Sequence, residues 1–423
     1  MTNGSGTAAA TTKVVIAGGG IGGLTAALAL HQRGIACTVF EQASELRELG
    51  VGITLMPHAV RELAALGLLP ALDAVAIRSQ HLYYMTRRGQ MVWDEPRGTS
   101  AGHDVPQFFI HRGMLQGVLV EAVRRTLPPG ALRVGCRLAR FVQDAGGIRV
   151  EFVDSGGAAT ATAQGDVLLG ADGIHSAVRG SLRPDEGPPL WSGLMLWRGA
   201  TDWPAFLGGA SLLIAGGVEA KFVAYPIAAG LTPGTRLTNW AAITRLAPFG
   251  STPPRREDWS REGRMADLAP LLERFDLGTI DVKALVGATE TFWEYPMCDR
   301  DPVERWLEGR VTLLGDAAHP MYPMGANGAS QAILDARSFA DALADATDVP
   351  SALQRYQSER LPSTSDIVRL NRIGGPEAVI DAVEQRAPDG FADVDAVLGR
   401  DERQRIVRGY AAKASSTSTP TAA

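Results

Sequence analysis

Gly18, Gly20 and Gly23 form a G-x-G-x-x-G turn between the apolar run KVVIA (13–17) and a helical pattern over 24–33. The first glycine permits a tight turn. The second lets the backbone approach a pyrophosphate, and the third lets the helix pack closely on its strand. A phosphate placed there meets free backbone N–H groups and the positive end of the helix. Residues 37–40 read as a second strand ending at Glu41, where a carboxylate accepts hydrogen bonds from a ribose. With 48 glycines in the chain, the spacing alone is weak. Strand, turn, helix, strand and acid in sequence point to a bound dinucleotide. Glu41 leaves no provision for a 2′-phosphate, so the tightly held dinucleotide is not NADP.

A second chemical segment lies near the other end. Residues 310–314 form a buried strand pattern ending at Gly315-Asp316, followed by a polar turn with Pro323, Gly325, Ala326, Asn327 and Gly328. A helix is expected over 329–344, where Ala332, Ile333, Ala336, Phe339, Ala340 and Leu343 recur at helical spacing and read as core. N–H groups at its start would stabilise negative charge on a ring system placed there. The first segment says where a dinucleotide lies and the second where its reactive end points.

The elements between must position these two segments. Residues 108–112 read as a strand running into a helix over 114–127, with Arg112 at the junction, where a guanidinium faces either a phosphate or solvent. Residues 149–153 alternate like an exposed strand, and 166–173 form an apolar strand ending at Asp172. Asp172 reads equally as a cap for a helix beginning near 174. From 191 to 296, strand-like pieces at 194–198, 212–215, 221–225, 237–242 and 290–295 alternate with Gly/Pro turns. They predict a mostly antiparallel sheet inserted in the dinucleotide domain and forming a pocket wall. Trp197, Tyr225 and Tyr295 are candidates to stack on a flat ligand, with core packing as the competing reading. Arg198 is a candidate partner for a carboxylate, with an exposed strand end as its alternative.

The expected fold class is α/β: a Rossmann-like domain over 12–75, 106–185 and 300–370, and a substrate domain over 76–105 and 186–299. Two short helices are expected within a C-terminal segment, 371–412, with frayed tails at 1–11 and 413–423. A net charge of −5 and only short basic pairs, such as Arg124-Arg125 and Arg255-Arg256, argue against a nucleic-acid partner. Cys37, Cys136 and Cys298 lack a ligand-like spacing, so no zinc site or disulfide framework is expected. Neither a leader nor an eighteen-residue apolar run is evident, and a cytoplasmic protein without membrane attachment is expected.

Three motifs together resemble the class A, single-component FAD-dependent monooxygenases of the aromatic hydroxylase type: the N-terminal glycine turn, GADGIHSAVR around Asp172, and Gly315-Asp316 with the loop beginning at Pro323. The resemblance runs from the first strand to about residue 370. Phrases at His111 (HRG), Trp197 (WRG) and Tyr322 (YPMGANGASQAILD) are of the type found in the family's phenazine-hydroxylating branch. It implies that Gly18, Gly20, Gly23 and Glu41 hold the ADP half of FAD, with Arg112 at the pyrophosphate and ribityl region. It places Asp316 on the ribityl or pyrophosphate portion, and Pro323, Gly325, Ala326, Asn327 and Gly328 beside the isoalloxazine. Asp172 and Arg179 inherit a double association with FAD and the nicotinamide donor. His319 is expected to shape the flavin loop, and no residue is assigned as a general base.

The implied reaction uses NADH or NADPH and O2 to hydroxylate an electron-rich aromatic acid or phenazine-like ring through a C4a-hydroperoxyflavin. Decarboxylation accompanies it where the attacked carbon bears a carboxylate. Baeyer–Villiger or epoxidising chemistry on a polycyclic metabolite is the alternative. The loop departs from the family's Pro-x-x-Gly-x-Gly-x-Asn cadence, which leaves phenol-hydroxylase geometry open. Oligomeric state is not fixed by the sequence.

Overall fold

The computed structural model describes residues 12–46, 51–255, 258 and 260–414. The expected tails lie outside these residues, as does Arg256, except that 413 and 414 close the last helix, Arg400–Ala414.

The run Lys13–Ala17 is the middle strand of a five-stranded parallel sheet ordered Val311–Leu313, Val167–Gly170, Lys13–Ala17, Ala36–Phe40, Leu132–Arg133. A parallel strand covered on both faces needs a continuous apolar run, and Val14, Val15 and Ile16 are fully buried. The helix Ile21–Gln32 starts earlier than its apolar pattern suggests, because Gly20, in an extended conformation, serves as its N-cap. Nearly all of this helix is buried, pressed against the helices Gly328–Asp345 and Arg112–Thr126. Gly22 permits that approach: a Cβ there would lie 2.5 Å from Leu314 Cδ2 and 3.2 Å from Ala332 Cβ.

A seven-stranded sheet stands beside this domain, ordered Phe292–Asp299, Leu190–Pro204, Thr235–Arg245, Ala220–Ala229, Ser211–Ala215, His81–Met85, Met91–Pro96. Every pairing is antiparallel except Ser211–Ala215 against His81–Met85. The inserted sheet is therefore mixed, and the residue 81–96 hairpin forms one edge. Side chains alternate across each strand. Met195 and Trp197 join Trp240, Phe292, Leu268 and Leu285 in a core beneath two short helices, Met265–Leu272 and Val282–Gly287. Leu194 and Leu196 emerge on the opposite face with Tyr322 and Met324.

Two smaller sheets complete the arrangement. Gly52–Leu55, Phe108–His111 and Ile77–Arg78 form one, in the order first, second, third. Arg137–Asp144, Gly147–Val153 and Ala159–Gly165 form an antiparallel meander. In its middle strand Ile148, Val150 and Phe152 are buried, so this strand is half-buried rather than exposed. The C-terminal segment holds three helices where two are expected: Ala378–Arg386, Val394–Val397 and Arg400–Ala414. They follow a long helix, Val349–Arg372. Val379, Ile380 and Val383 pack with Tyr84, Ile214 and Tyr225 of the large sheet. No described helix is long and apolar enough to cross a membrane.

Candidate active site

The glycine turn is shaped by contacts that leave no room for side chains. Gly18 has φ +110°, and a Cβ there would sit 2.2 Å from the Ala171 carbonyl oxygen. A Cβ on Gly23 would lie 2.0 Å from Gly18 O. Gly20 is different: nothing lies within 4 Å of the position a Cβ would take. The turn is thus closed behind and open at the helix start, where the first N–H groups have no intrahelical acceptors. That is the cradle a pyrophosphate requires, and the residues present fit FAD.

Glu41 organises this turn. Its Oε2 accepts from Gly19 N at 2.7 Å and its Oε1 from Ala43 N at 2.8 Å. Each oxygen retains a second lone pair for a ribose hydroxyl. Gln116 Nε2 donates to Gly19 O at 3.0 Å, tying the turn to the helix Arg112–Thr126. Arg112 is the first residue of that helix and is exposed. Asp316 is solvent-accessible, yet enclosure by protein raises its carboxyl above the ordinary range. Arg112 is close enough for its charge to act on both Asp316 and Arg198.

Asp172 accepts from Ala177 N at 2.7 Å and Ser176 Oγ at 2.5 Å, so it caps the short helix Ala177–Leu182. Burial raises its carboxyl despite these bonds. Arg179 is almost wholly buried. It pairs with Glu186 and donates to the carbonyls of Ala317 and Ala318. Its guanidinium is a staple between the two motif segments.

The 323–328 turn has two successive left-handed residues, Gly325 at φ +68° and Ala326 at φ +53°. Asn327 is buried and donates to Gly325 O at 2.9 Å. It precedes the helix Gly328–Asp345 without capping it through its side chain. His319 Nε2 lies 2.6 Å from Asp335 Oδ2, while Arg360 Nε donates to Asp335 Oδ1 at 2.8 Å. The same carboxylate accepts from Gly315 N, so the cluster braces the turn that presents Asp316. Burial would raise the Asp335 carboxyl, but His319 and Arg360 outweigh it and hold the group down at about 2.

On the large sheet, Arg198 shares the face of Leu194 and Leu196, and Tyr295 stands directly opposite Leu196 on the neighbouring strand. Tyr225 and Tyr295 both lie within electrostatic reach of Arg198. Burial, together with the Arg112 charge, lowers the Arg198 guanidinium to about 10. Asn239 Oδ1 accepts from Gly52 N at 2.8 Å, fastening this sheet to the Gly52–His111 wall. Trp197 does not join the group. Strand alternation turns it to the other face, where it is buried in core, the reading that competed with a stacking role.

The sequence reading missed Asp335, Arg360, Lys221 and Glu377. Lys221 Nζ and Glu377 Oε2 form an ion pair of which both side chains are buried. Charged residues within otherwise apolar strand or helix patterns were the available signal. Their partners, 25 positions away for Arg360 and 156 for Lys221, were not legible.

Comparison with known proteins agrees with this geometry. The model of the FAD binding domain family matches residues 11–196 and 238–371. A phenazine 1,6-dicarboxylic acid hydroxylase, PhzS, of Lysobacter antibioticus is 45% identical over 370 residues, covering 86% of this chain and 90% of that protein. 3-Hydroxybenzoate 6-hydroxylase 1 of Aquipseudomonas alcaligenes is 32% identical over 368 residues, covering 85% and 87%. The fold is shared with Klebsiella pneumoniae HpxO complexed with FAD and uric acid, at a TM-score of 0.74 and 24% identity over 95% of this chain and 96% of that one. The chain belongs to the FAD binding domain family and, within it, to the class A FAD-dependent monooxygenases of the aromatic and phenazine type.

Proposed function

We propose that this NAD(P)H- and O2-dependent monooxygenase hydroxylates a planar aromatic carboxylic acid of the phenazine-carboxylate type. The similarity to the Lysobacter phenazine 1,6-dicarboxylic acid hydroxylase favours a tricyclic acid over a single ring. 5-Methylphenazine-1-carboxylate, which decarboxylative hydroxylation converts to pyocyanin, is one such substrate. The observation that carries the reading is Arg198. This largely buried guanidinium lies near Tyr225 and Tyr295 and feels a second cation, Arg112. A carboxylate placed there relieves the repulsion between the two cations, and the tyrosine rings flank an aromatic body.

In this reading the glycine turn and Glu41 hold the ADP half of FAD, Arg112 faces the pyrophosphate, and Asp316 binds the ribityl portion. The turn Pro323, Gly325, Ala326, Asn327 and Gly328 would border the isoalloxazine, with the positive start of the helix Gly328–Asp345 available to the negative charge of the reduced ring. Asp172 supports the cofactor cleft from behind by capping its helix. Bound FAD would supply hydride acceptance from NADH or NADPH and activation of O2, one oxygen atom going to the ring and the other to water. The seven-stranded sheet excludes water and holds the substrate ring against that site. No side chain is assigned as general base, because an electron-rich ring needs little deprotonation. The three free cysteines fit a cytoplasmic setting.

The test is anaerobic stopped-flow reduction by NADH and NADPH, with phenazine-1-carboxylate, phenazine-1,6-dicarboxylate, 5-methylphenazine-1-carboxylate or 3-hydroxybenzoate. The expected result is faster reduction with a phenazine acid, then one labelled oxygen in the product after admission of labelled O2. Stimulation by 3-hydroxybenzoate alone would reassign the ring class. A ring-inserted or epoxide product would replace hydroxylation with the alternative oxygen transfer.

A further inference from the structure

Lys221 lies on the strand Ala220–Ala229, with its side chain 3% exposed, and its ammonium pairs with Glu377, 6% exposed. The same Nζ lies 3.3 Å from Met324 Sδ. Glu377 Oε1 in turn accepts a long hydrogen bond, 3.4 Å, from Gly325 N. One buried ion pair therefore touches the large sheet, the C-terminal segment and the 323–328 turn. The segment around Glu377 is anchored independently. Asp381 Oδ1 accepts from Val218 N at 2.8 Å, and Glu384 Oε1 accepts from Arg87 N at 2.8 Å.

A buried ion pair is a weak source of stability, since desolvation offsets most of its attraction, but breaking one side of it is costly. Its position matters more here. The turn it touches includes Ala326, a non-glycine residue with positive φ, and such a conformation persists only when its surroundings hold it. We propose that Lys221 and Glu377 are positioning residues that fasten the 324–326 turn to the substrate sheet and place beside it a pair whose two charges cancel. This rests on the reading that the turn borders the isoalloxazine. Neither residue touches the reacting atoms. Glu377 acts through the Gly325 N–H, and Lys221 acts through Glu377 and Met324.

The charges give the proposal a sign. Glu377→Gln keeps the side-chain size but removes one negative charge, and with it the ion pair that holds this side chain against Gly325 N. One negative charge fewer beside the ring favours the reduced, anionic flavin, so the FAD midpoint potential rises. Adding Lys221→Gln removes one positive charge and returns the potential towards wild type, while the turn remains unfastened.

The experiment uses FAD-loaded wild type, E377Q and the K221Q/E377Q double variant. It measures amide hydrogen exchange in a peptide covering 322–329 and the FAD midpoint potential at pH 7. Exchange in that peptide is expected to be several-fold faster in both variants. The potential is expected to shift upward in E377Q alone. Unchanged exchange in both variants would overturn the fastening role, and an equal potential shift in both would overturn the charge argument. Faster exchange with no potential shift in E377Q would sustain the fastening and overturn the placement of the turn beside the ring. If E377Q does not fold, the double variant carries the test: faster exchange supports the fastening and unchanged exchange overturns it.

Discussion

Arg179 donates from Nη1 to the Ala318 carbonyl at 2.7 Å, joining the helix that Asp172 caps to the turn that presents Asp316. The two motifs lie on different strands of the parallel sheet, Val167–Gly170 and Val311–Leu313, and their side chains meet beyond its carboxyl ends. Nε of the same guanidinium donates to Glu186 Oε2 at 2.7 Å. Replacement by Met keeps the volume but leaves three carbonyls, those of Ala317, Ala318 and Asp301, and a carboxylate short of donors. R179M is expected to lose about 3 kcal/mol of stability in urea unfolding. FAD affinity is expected to fall with it, because Asp316 loses its support. Unchanged stability with unchanged FAD affinity would contradict the staple.

Asp335 makes acid sensitivity a measurable property of the brace beneath Asp316. Its folded carboxyl is held at about 2 by His319 and Arg360, below its unfolded value. The stability this contributes is present above the unfolded value, near pH 4, and is lost as pH falls through about 2. The shift corresponds to roughly 2 kcal/mol. D335N leaves Arg360 buried without its partner and is expected to cost about 3–5 kcal/mol at neutral pH. It should also flatten the stability loss between pH 4 and 2. Denaturant melts across that window read both effects.

His58 controls a separate, higher window. Burial and the nearby Arg360 charge hold its imidazole down at about 4, and its Nε2 is buried without a hydrogen-bond partner among the described residues. A depressed folded value means that stability falls as pH drops from about 6.5 to about 4, because the unfolded chain binds the proton first. H58F preserves the ring without the titration. It is expected to remove up to about 3 kcal/mol of pH dependence in that interval. The D335N limb below pH 4 should persist in H58F. A wild-type slope retained in H58F would assign the transition to another group.

The glycine turn separates fold from cofactor binding. An added Cβ at Gly18 would meet backbone at 2.2 Å, whereas at Gly20 it meets open space. G18A is therefore expected to lower the melting temperature of the FAD-free protein. G20A is expected to leave that temperature unchanged and still weaken FAD binding, since the methyl occupies the space a phosphate needs. Equal losses of FAD affinity and melting temperature in both variants would show that the open face is not the phosphate site.

These contrasts also show what the sequence made legible. The turn at Gly18 and the sheet strands were readable because local spacing and apolar runs encode them. Arg198 and Tyr295 were singled out by residue type on strand-like segments, and the sheet turns both to one face. Trp197, adjacent to Arg198, was left between a stacking and a core role, because only the observed strand alternation separates the two faces. Asp335–Arg360 and Lys221–Glu377 escaped because pairing across 25 and 156 positions depends on tertiary packing and has no local signature. The three C-terminal helices were undercounted where Gly399 and Asp393 divide a weak apolar pattern into short pieces.

Ala326 carries local strain that substitution can reveal. At φ +53° an L-residue brings its Cβ close to the following carbonyl, at about 1–2 kcal/mol. Glycine removes that cost but adds up to about 1 kcal/mol of unfolded-chain entropy. A326G is therefore expected to be neutral or stabilising by up to about 1 kcal/mol, against the usual trend for Ala→Gly. A326V, β-branched at the same φ, is expected to destabilise by more than about 1 kcal/mol. Thermal melts of the two variants give opposite or clearly separated shifts. Equal destabilisation by both would mean that the turn relaxes to another conformation.

Arg198 gives the sharpest test of substrate class. Its guanidinium is brought down to about 10 by burial and by Arg112, which means that water and neighbouring groups do not fully stabilise its charge. A bound carboxylate supplies that stabilisation, and a charge-assisted hydrogen bond is worth about 1.5–3 kcal/mol. R198M is expected to weaken binding of an aromatic acid by roughly 10- to 150-fold, read from the flavin difference spectrum. The matching carboxamide should bind wild type weakly and lose little further affinity in R198M. R198K keeps the charge without the planar fork, so its loss should fall between those of wild type and R198M. Melting temperatures of the substrate-free variants separate a loss of the fold from a loss of the carboxylate contact. If the acid and the amide lose affinity equally in R198M, the side chain shapes the pocket and does not pair with the carboxylate. The substrate acid would then have to be held from the Arg112 side.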